Sequence, residues 1–415
     1  MTRRNQNKAG RVLAATLGVQ FFSGVLYVWS IFKDHLIARY GWGDAEATIP
    51  YTVSTIVFAL SMFTAGLLLD RAGPRVMISA GVILMGGGLI LSGFADSVWL
   101  WALTFGLITS AGVGFSYLTA APTVIQWFPP EKRGAITGLA VAGVAISPVM
   151  ISPLANFALG HFGLKHGSWI LGAVALVIPL TLAQLIANPP ADYLPANNQK
   201  NEDGRTEPNR NAMTWRQMIR TFDFYKLFAM FAFSSSSGLI IFGHMTRIAR
   251  LQADWDGGYL LLMLIAVFSA GGRFLGGVIS DHIGKTNLLR AVFLLQALNM
   301  LVFHLMDTSF TLALGVAVAG LCYGATFSAF PLLTADYYGV RNLGANYGLL
   351  FIGWGMGGVL GPQIAGSIFD VTGSYHLAYR LALGLLIVAF LISFSLRKEK
   401  IIRRTVSGME GRGGS

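Results

Sequence analysis

The feature that most constrains this chain is a series of twelve apolar stretches in which Asp, Glu, Lys and Arg are almost absent. A helix needs roughly 20 apolar residues to cross the hydrocarbon of a bilayer. These stretches lack the alternating pattern of barrel strands, and lipid satisfies no open backbone amide, so we expect helices. We therefore predict an all-α membrane protein with twelve transmembrane spans, at about 12–32, 47–69, 76–95, 97–125, 134–160, 167–188, 224–246, 257–281, 287–306, 308–335, 342–369 and 375–396.

Composition and charge support this interpretation. The chain is 54% hydrophobic and 12% charged, which excludes an ordinary soluble surface. If the amino terminus is cytoplasmic, 23 of the 30 Lys and Arg lie in the tails, loops and adjoining span ends on that side, six lie on the opposite side, and one lies deep within a span. This asymmetry predicts that both termini face the cytoplasm, in a cell (inner) membrane. It also explains the net charge of +11 as a topology signal, so nucleic acid is not an expected partner.

A polar segment between spans 6 and 7 divides the chain into two halves. We predict an N-terminal six-helix bundle over 1–190, a cytoplasmic linker over 191–222, a C-terminal six-helix bundle over 223–400 and a tail over 401–415, whose end has no expected function. The single cysteine, Cys322, excludes an intrachain disulfide and a CxxC-type metal site. No cofactor or metal is expected.

The two halves repeat each other. Three residues between spans 2 and 3 recur between spans 8 and 9 with an offset of 211 residues: Gly66, Asp70 and Gly73 match Gly277, Asp281 and Gly284. A second repeat pairs Arg133–Gly143 with Gly344–Gly353, each at the start of the fifth span of its half. Duplication predicts two bundles related by a pseudo-twofold axis along the membrane normal, with a substrate site between them at mid-depth.

The pattern Gly-x-x-x-Asp-Arg-x-Gly-x-Arg and the six-plus-six layout resemble the major facilitator superfamily over nearly the whole chain. Glycines allow a tight loop, and each Asp can accept helix-end amides, or pair with a cation, in one conformation and lose them in another. The expected gating residues are Asp70, Arg71, Gly73, Arg75, Asp281, Gly284 and Lys285. The alternative for Arg71 and Arg75 is that they only anchor the loop on the positive side.

Arg273 is the one charge in the middle of a span, since Lys226, Arg290 and Arg380 lie near span ends. It lies eight residues before Asp281, and a rise of 1.5 Å per residue places it about 12 Å inside the cytoplasmic end, near the bilayer centre. A guanidinium is costly there unless it is paired or hydrated, and no carboxylate is predicted at that depth. One interpretation is a structural Arg bonded to carbonyls or water. We favour a cavity-facing Arg273 whose counter-ion is a carboxylate substrate.

The span 8 segment SAGGRFLGGVISDHIGK resembles that of the oxalate:formate antiporter family and, more distantly, of the monocarboxylate transporters, in which an arginine of this helix holds the substrate carboxylate. SGVLYVWS, GVGFSYL, WFPPEKRG, CYGATFSAFP and NYG extend the resemblance to spans 1, 4, 10 and 11 and the loop after span 4. It implies a wall of Tyr27, Tyr117, Tyr323, Phe327 and Phe351, with Leu26, Val144 and Trp354 at further lining positions. Such an aromatic box fits a small organic acid.

Departures from these families bear on the substrate and on coupling. The antiporter has a lysine on span 11 where this chain has Trp354, so one cation remains and a lactate- or pyruvate-like monocarboxylate is expected. The monocarboxylate transporters place an aspartate where Ser269 stands and a lysine where Leu26 stands. We predict proton symport, with the acid itself able to carry the proton, and carboxylate exchange as the alternative. His244 and His304, near the outer ends of spans 7 and 9, are poor candidates for the proton-carrying group.

Other classes of protein fit less well. The spans contain no HExxH, GxSxG or paired intramembrane aspartates, so an enzyme is not expected. An anion channel remains an alternative, although the twofold repeat favours a carrier that alternates between two conformations. The expected partners are a monocarboxylate, the proton and membrane lipids, and the chain is expected to be monomeric.

Overall fold

The computed structural model describes residues 3–190 and 213–396, and within these ranges the chain is helical with no β-strand. Helix α1 runs through Arg3–Phe22, a 3-10 segment at Ser23–Val28, and Trp29–Tyr40. The next helices of the first half are α2 (Glu46–Leu69), α3 (Arg71–Ser92), α4 (Val98–Trp127) and one long helix, Arg133–Ala183. The second half contains α7 (Phe222–Ala253), α8 (Gly258–Ile283), α9 (Lys285–Leu305), α10 (Ser309–Tyr338), α11 (Leu343–Thr372) and α12 (His376–Phe394).

Glycines with positive φ break the chain between successive helices. Gly163 has φ 71° and interrupts Arg133–Ala183, which separates α5 (133–162) from α6 (164–183). Gly73 has φ 76° in the first turn of α3, just after α2 ends, and Gly284 has φ 84° between α8 and α9. A Cβ is strained at these angles, so glycine permits a tight turn here. With the break at Gly163, the described chain has twelve membrane-length helices, and the predicted fold class is confirmed.

Two helices of the first half, α1 and α4, each contain a segment that is not α-helical. Ser23–Val28 of α1 is a 3-10 segment, and Ala102–Thr109 of α4 is a π-helix. The outer parts of α1 and α4 then pack through aromatic rings, with Trp29 and Phe105 centroids 4.6 Å apart. Such irregular segments within long helices often mark functional sites or hinges.

The two halves meet most closely at the ends of the helices on the predicted cytoplasmic side, called the inner ends below. A Cβ on Gly66 of α2 would collide with the backbone of Gly344 at the start of α11. A Cβ on Gly277 of α8 would likewise collide with the backbone of Gly134 at the start of α5. Both contacts are backbone to backbone, so the inner ends of α2 and α11, and of α5 and α8, are closed.

The described end of the linker joins this inner surface. The Met213 carbonyl accepts hydrogen bonds from the side-chain amides of Asn342 and Asn346, and its N–H donates to the Tyr338 carbonyl. A short helix follows at Trp215–Met218, and the ring of Trp215 lies 5.5 Å from that of Phe63 on α2. The linker therefore contacts both halves. The predicted domain limits stay predictions, because 191–212 and the tail 401–415 lie outside the described residues.

We expect Gly272→Ala to destabilise the protein, because a Cβ there would collide with the Leu321 backbone and force α8 away from α10. The cost should be about 1–3 kcal/mol. Gly271→Ala is the matched control, since its Cβ would meet only a side-chain atom of Leu321 at 3.9 Å. Thermal unfolding in detergent can be followed with a thiol-reactive dye, because Cys322 is the only cysteine and is buried. Equal melting temperatures for the two variants would contradict this packing argument.

Candidate functional site

Arg273 lies in the middle of α8 and is the only charged side chain among the buried residues of the described chain, with 1% of its surface exposed. Gly272 and Gly276, on either side of it, leave no space for a Cβ against the backbone of α10. The Ser328 hydroxyl of α10 donates a hydrogen bond to the Arg273 carbonyl. The direct packing of α8 on α10 therefore sets the backbone position of Arg273.

The Arg273 side chain reaches across to the other half. Its Nη1 donates to the Val141 carbonyl of α5 at 2.6 Å, and its guanidinium lies 4.5 Å from the centre of the Phe327 ring. Its Nε has no hydrogen-bond partner. No described carboxylate forms an ion pair with it. A carbonyl and a ring face compensate only part of the cost of burying a charge, so this guanidinium retains capacity to bind an anion.

Seven aromatic side chains surround this position and are called the aromatic cluster below. The Phe327 ring is central, with centroids 5.0 Å from Tyr323, 6.0 Å from Phe351 and 6.4 Å from Tyr117. The members come from α2 and α4 of one half and from α7, α10 and α11 of the other: Phe58, Tyr117, Phe231, Tyr323, Phe327, Phe351 and Trp354. The cluster therefore lies where the two bundles meet.

Two phenols of the cluster supply polar groups. The Tyr117 hydroxyl is buried and has no hydrogen-bond partner, and the Tyr323 hydroxyl accepts the indole N–H of Trp354 at 2.9 Å. Both tyrosine rings pack against Phe327, whose ring face meets the guanidinium of Arg273. Guanidinium N–H groups and phenol O–H groups all donate. The arrangement therefore offers hydrogen-bond donors and a positive charge, between ring faces, to a group that accepts hydrogen bonds.

The remaining predicted wall residues lie on α1 and α5. Tyr27 is 37% exposed and makes no ring contact with the described members of the aromatic cluster, so its place in the wall stays a prediction. Leu26 is half-buried beside it in the 3-10 segment. Val144 is buried on α5, close to Gly24 of that segment. The 3-10 segment thus packs on the helix whose Val141 carbonyl holds Arg273.

The structure brings Arg273 together with five predicted residues: Tyr117, Tyr323, Phe327, Phe351 and Trp354. It adds Phe58, Phe231 and the Val141 carbonyl, which the sequence interpretation missed. The repeat offset of 211 residues carries a signal for Phe58, because it matches Ser269, one turn before Arg273. No sequence signal separates Phe231 from the other phenylalanines of α7, and a carbonyl as a partner has no side-chain signature.

Asp281 bridges the two halves at the inner end. Its two carboxylate oxygens accept the backbone N–H groups of Gly134 and Ala135, at 2.9 and 3.0 Å, at the start of α5. A carboxylate at a helix N-terminus satisfies free amides and favours the helix dipole. The closed contact between α5 and α8 therefore carries a charge-assisted bond.

The other predicted gating residues have more local contacts. Arg75 Nε donates to the Ile186 carbonyl within its own half at 3.3 Å, and Lys285 pairs with Asp336 at 2.8 Å within the other. Arg71 is exposed, and the side chain of Asp70 lies outside the described part of the chain. The gating role of these residues, and of the positive-φ Gly73 and Gly284, stays a prediction.

The two histidines considered for proton transfer lie away from the aromatic cluster. His244 contacts the Pro362 carbonyl at 2.9 Å through Nε2 and the Tyr375 hydroxyl at 3.0 Å through Nδ1. Burial raises the pKa of Tyr375 above its usual value, so this phenol stays neutral beside the imidazole. His304 is exposed, with its ring 5.5 Å from that of His376.

Comparison with known proteins agrees with this architecture. The family model described as Major Facilitator Superfamily matches residues 12–309 and 293–411. A crystal structure of the Escherichia coli transporter FucP in the outward conformation is similar, with a TM-score of 0.68, 17% identity, and coverage of 93% of this chain and 99% of that one. This likeness concerns the fold.

Curated relatives are similar at low identity. The uncharacterised MFS-type transporter YhjX of Escherichia coli is 26% identical over 84% of this chain and 85% of its own. The oxalate:formate antiporter of Oxalobacter formigenes is 25% identical over 86% and 84%, respectively. Monocarboxylate transporter 14 of Mus musculus is 24% identical over 76% and 75%. The named functions of these relatives are transport across membranes.

We expect Asp281→Asn to loosen the inner contact between α5 and α8, because the uncharged amide replaces two charge-assisted bonds by weaker ones. The measurement is maleimide labelling from the inner side of a cysteine placed at Thr137, which is fully buried on α5, in a Cys322→Ser background. Labelling should accelerate about tenfold. Asp223→Asn is the matched control, because that carboxylate is 32% exposed and pairs with Lys226 within one half. Similar labelling in both variants would overturn the assignment of Asp281 to the closed contact.

Proposed function

Because this chain belongs to the major facilitator superfamily, we propose that it carries small monocarboxylate anions across the membrane by alternating access, with Arg273 binding the carboxylate. The observation that carries the proposal is the buried guanidinium between the two halves, which has no ion-pair partner among the described residues. A substrate anion supplies the missing charge. The multi-pass membrane fold and the transporter relatives support transport across a membrane as the general function.

A carboxylate suits the free edge of this guanidinium. Nη1 is engaged by Val141, whereas Nε, on the opposite edge, has no partner. That edge can meet a carboxylate in a planar, two-bond geometry that a lysine cannot reproduce. The unpartnered hydroxyl of Tyr117 adds a third donor. An amine or a metal ion would be repelled here by the like charge of Arg273.

The surrounding rings favour a short acid with one negative charge. Arg273 is the single buried cation of the described chain, so a second carboxylate would be desolvated without a partner. The ring faces of Phe327 and Phe351 suit a small apolar body such as that of lactate or pyruvate. The names of relatives, monocarboxylate transporter and oxalate:formate antiporter, support this chemical class.

Coupling is the finer part of the proposal. Proton symport is the mode that the sequence predicts, and the proton would travel on the acid itself or on a protein group linked to the anion site. Of the described carboxylates, none pairs with Arg273, and His244 is engaged elsewhere. An empty carrier would pass through its occluded state with an unpaired buried charge, whereas a loaded carrier would not. This asymmetry favours the alternative of carboxylate exchange, in which each transition is made with an anion bound.

We expect Arg273→Gln to reduce carboxylate uptake into proteoliposomes by about 100-fold or more, because a buried charge partner is removed. Arg273→Lys should also lose most uptake, since an ammonium lacks the planar pair of donors. Arg247→Gln is the matched control, because Arg247 is exposed near the outer end of α7. Normal uptake by Arg273→Gln at equal protein levels would contradict the proposal. Monocarboxylates should compete with labelled L-lactate better than oxalate or malonate does.

Exchange and symport can be separated with the wild-type protein. We expect labelled L-lactate uptake to rise several-fold when the vesicles are preloaded with unlabelled L-lactate, and to change little when an imposed pH difference is collapsed. Uptake that disappears with the pH difference and does not respond to preloading would instead support the proton symport that the sequence predicts. An anion channel would show neither saturation nor stimulation by preloaded substrate, and that result would exclude a carrier.

A further inference from the structure

We propose that Trp354 is a positioning residue for the carboxylate site, because its indole N–H determines the direction in which the Tyr323 hydroxyl donates. The inference rests on the proposed function. Trp354 is already a member of the aromatic cluster. The inference gives its indole a role that it exerts through another side chain, that of Tyr323. The evidence is one hydrogen bond and the packing that holds its two partners.

The hydrogen bond has only one possible direction. The indole N–H of Trp354 donates, and the Tyr323 oxygen accepts, at 2.9 Å. An indole has no acceptor, so the phenolic proton of Tyr323 must point away from Trp354. The structure shows no acceptor for that proton among the described residues. Tyr323 and Trp354 are both buried, so bulk water does not readily supply the acceptor.

Both partners are held by their neighbours. Trp354 packs against Phe351 at 4.8 Å and against Phe58 of the other half at 5.6 Å, measured between ring centroids. Tyr323 lies 5.0 Å from Phe242, and a Cβ at Gly238 would collide with its ring. The Trp354 ring is thus packed between residues of both halves, and the Tyr323 ring lies directly against α7. The direction of the Tyr323 O–H bond is therefore set before substrate arrives.

The oriented hydroxyl completes a set of three donors. Arg273 Nε and the Tyr117 hydroxyl have no partner, and Tyr323 has a proton to donate. Tyr117 comes from the first half, and Arg273 and Tyr323 come from the second, so a carboxylate bound by all three would join the halves. Donors that are already oriented cost little to order on binding. Loss of the indole N–H should therefore weaken substrate binding and leave turnover at saturation unchanged.

The test is a double-mutant cycle on the full-length protein. Trp354→Phe removes the N–H and keeps a ring, and Tyr323→Phe removes the hydroxyl. L-lactate binding is measured by titration calorimetry, and KM and kcat are measured by uptake into proteoliposomes. Each single variant should raise Kd and KM by about tenfold, with kcat unchanged. The double variant should be no weaker than Tyr323→Phe alone, because both changes remove the same oriented donor.

Trp101→Phe is the matched control, because its indole N–H also bonds one partner, the Ala95 carbonyl, on an outer part of α4 far from Arg273. It should bind L-lactate like the wild type. The rise in melting temperature on adding L-lactate is a second measurement of binding. It compares each variant with and without L-lactate, so it can also be used for a variant that is less stable. Additive losses in the cycle, or unchanged binding by Trp354→Phe, would overturn the inference alone. A wild-type protein that does not bind L-lactate or other monocarboxylates would overturn the proposed function as well.

Discussion

The organisation of this protein depends on a guanidinium that is buried between two helical bundles and has no carboxylate partner among the described residues. Arg273 is held by a carbonyl of the opposite half and by the face of Phe327. Neither partner is charged, so much of the desolvation cost of the cation remains to be offset. The surrounding rings exclude water, and the hydroxyl groups of the cluster donate. Under the proposed function, a bound anion would supply the negative charge that the described side chains around Arg273 lack.

The same helices carry the centre and the closure of the inner ends. On α8, Arg273 reaches Val141 of α5, and two turns further inward Asp281 accepts the amides at the start of α5. Gly277 and Gly134 allow these backbones to touch. If α5 and α8 separate at the inner end, the bond between Arg273 and Val141 must lengthen or break. The Arg273 bond and the inner contact thus lie on one interface between α5 and α8, which under the proposed function would couple anion binding to inner opening.

The candidate site was partly predictable because some of its residues are chemically exceptional where they stand. A lone arginine in a span is costly, so Arg273 is evident from hydropathy alone. Tyr117, Tyr323, Phe327, Phe351 and Trp354 follow from resemblance to carboxylate transporters. Phe231 was missed, because phenylalanine is ordinary in any membrane helix and its orientation depends on helix rotation. Phe58 was missed as well, although the repeat offset matches it to Ser269. The bond between Trp354 and Tyr323 was also missed, since it joins two helices and depends on their relative depth.

The sequence by itself determined the number of spans, the duplication into two halves and the place of the single buried cation, because hydropathy, repeat spacing and charge are local properties of the chain. The break at Gly163, the glycine contacts that close the inner ends and the direction in which each donor points were decided only by the tertiary structure. Helices in lipid have apolar residues on every side, so periodicity does not specify which face meets a neighbour. Close packing between particular helices does, and it converts scattered tyrosines, a tryptophan and an arginine into one site.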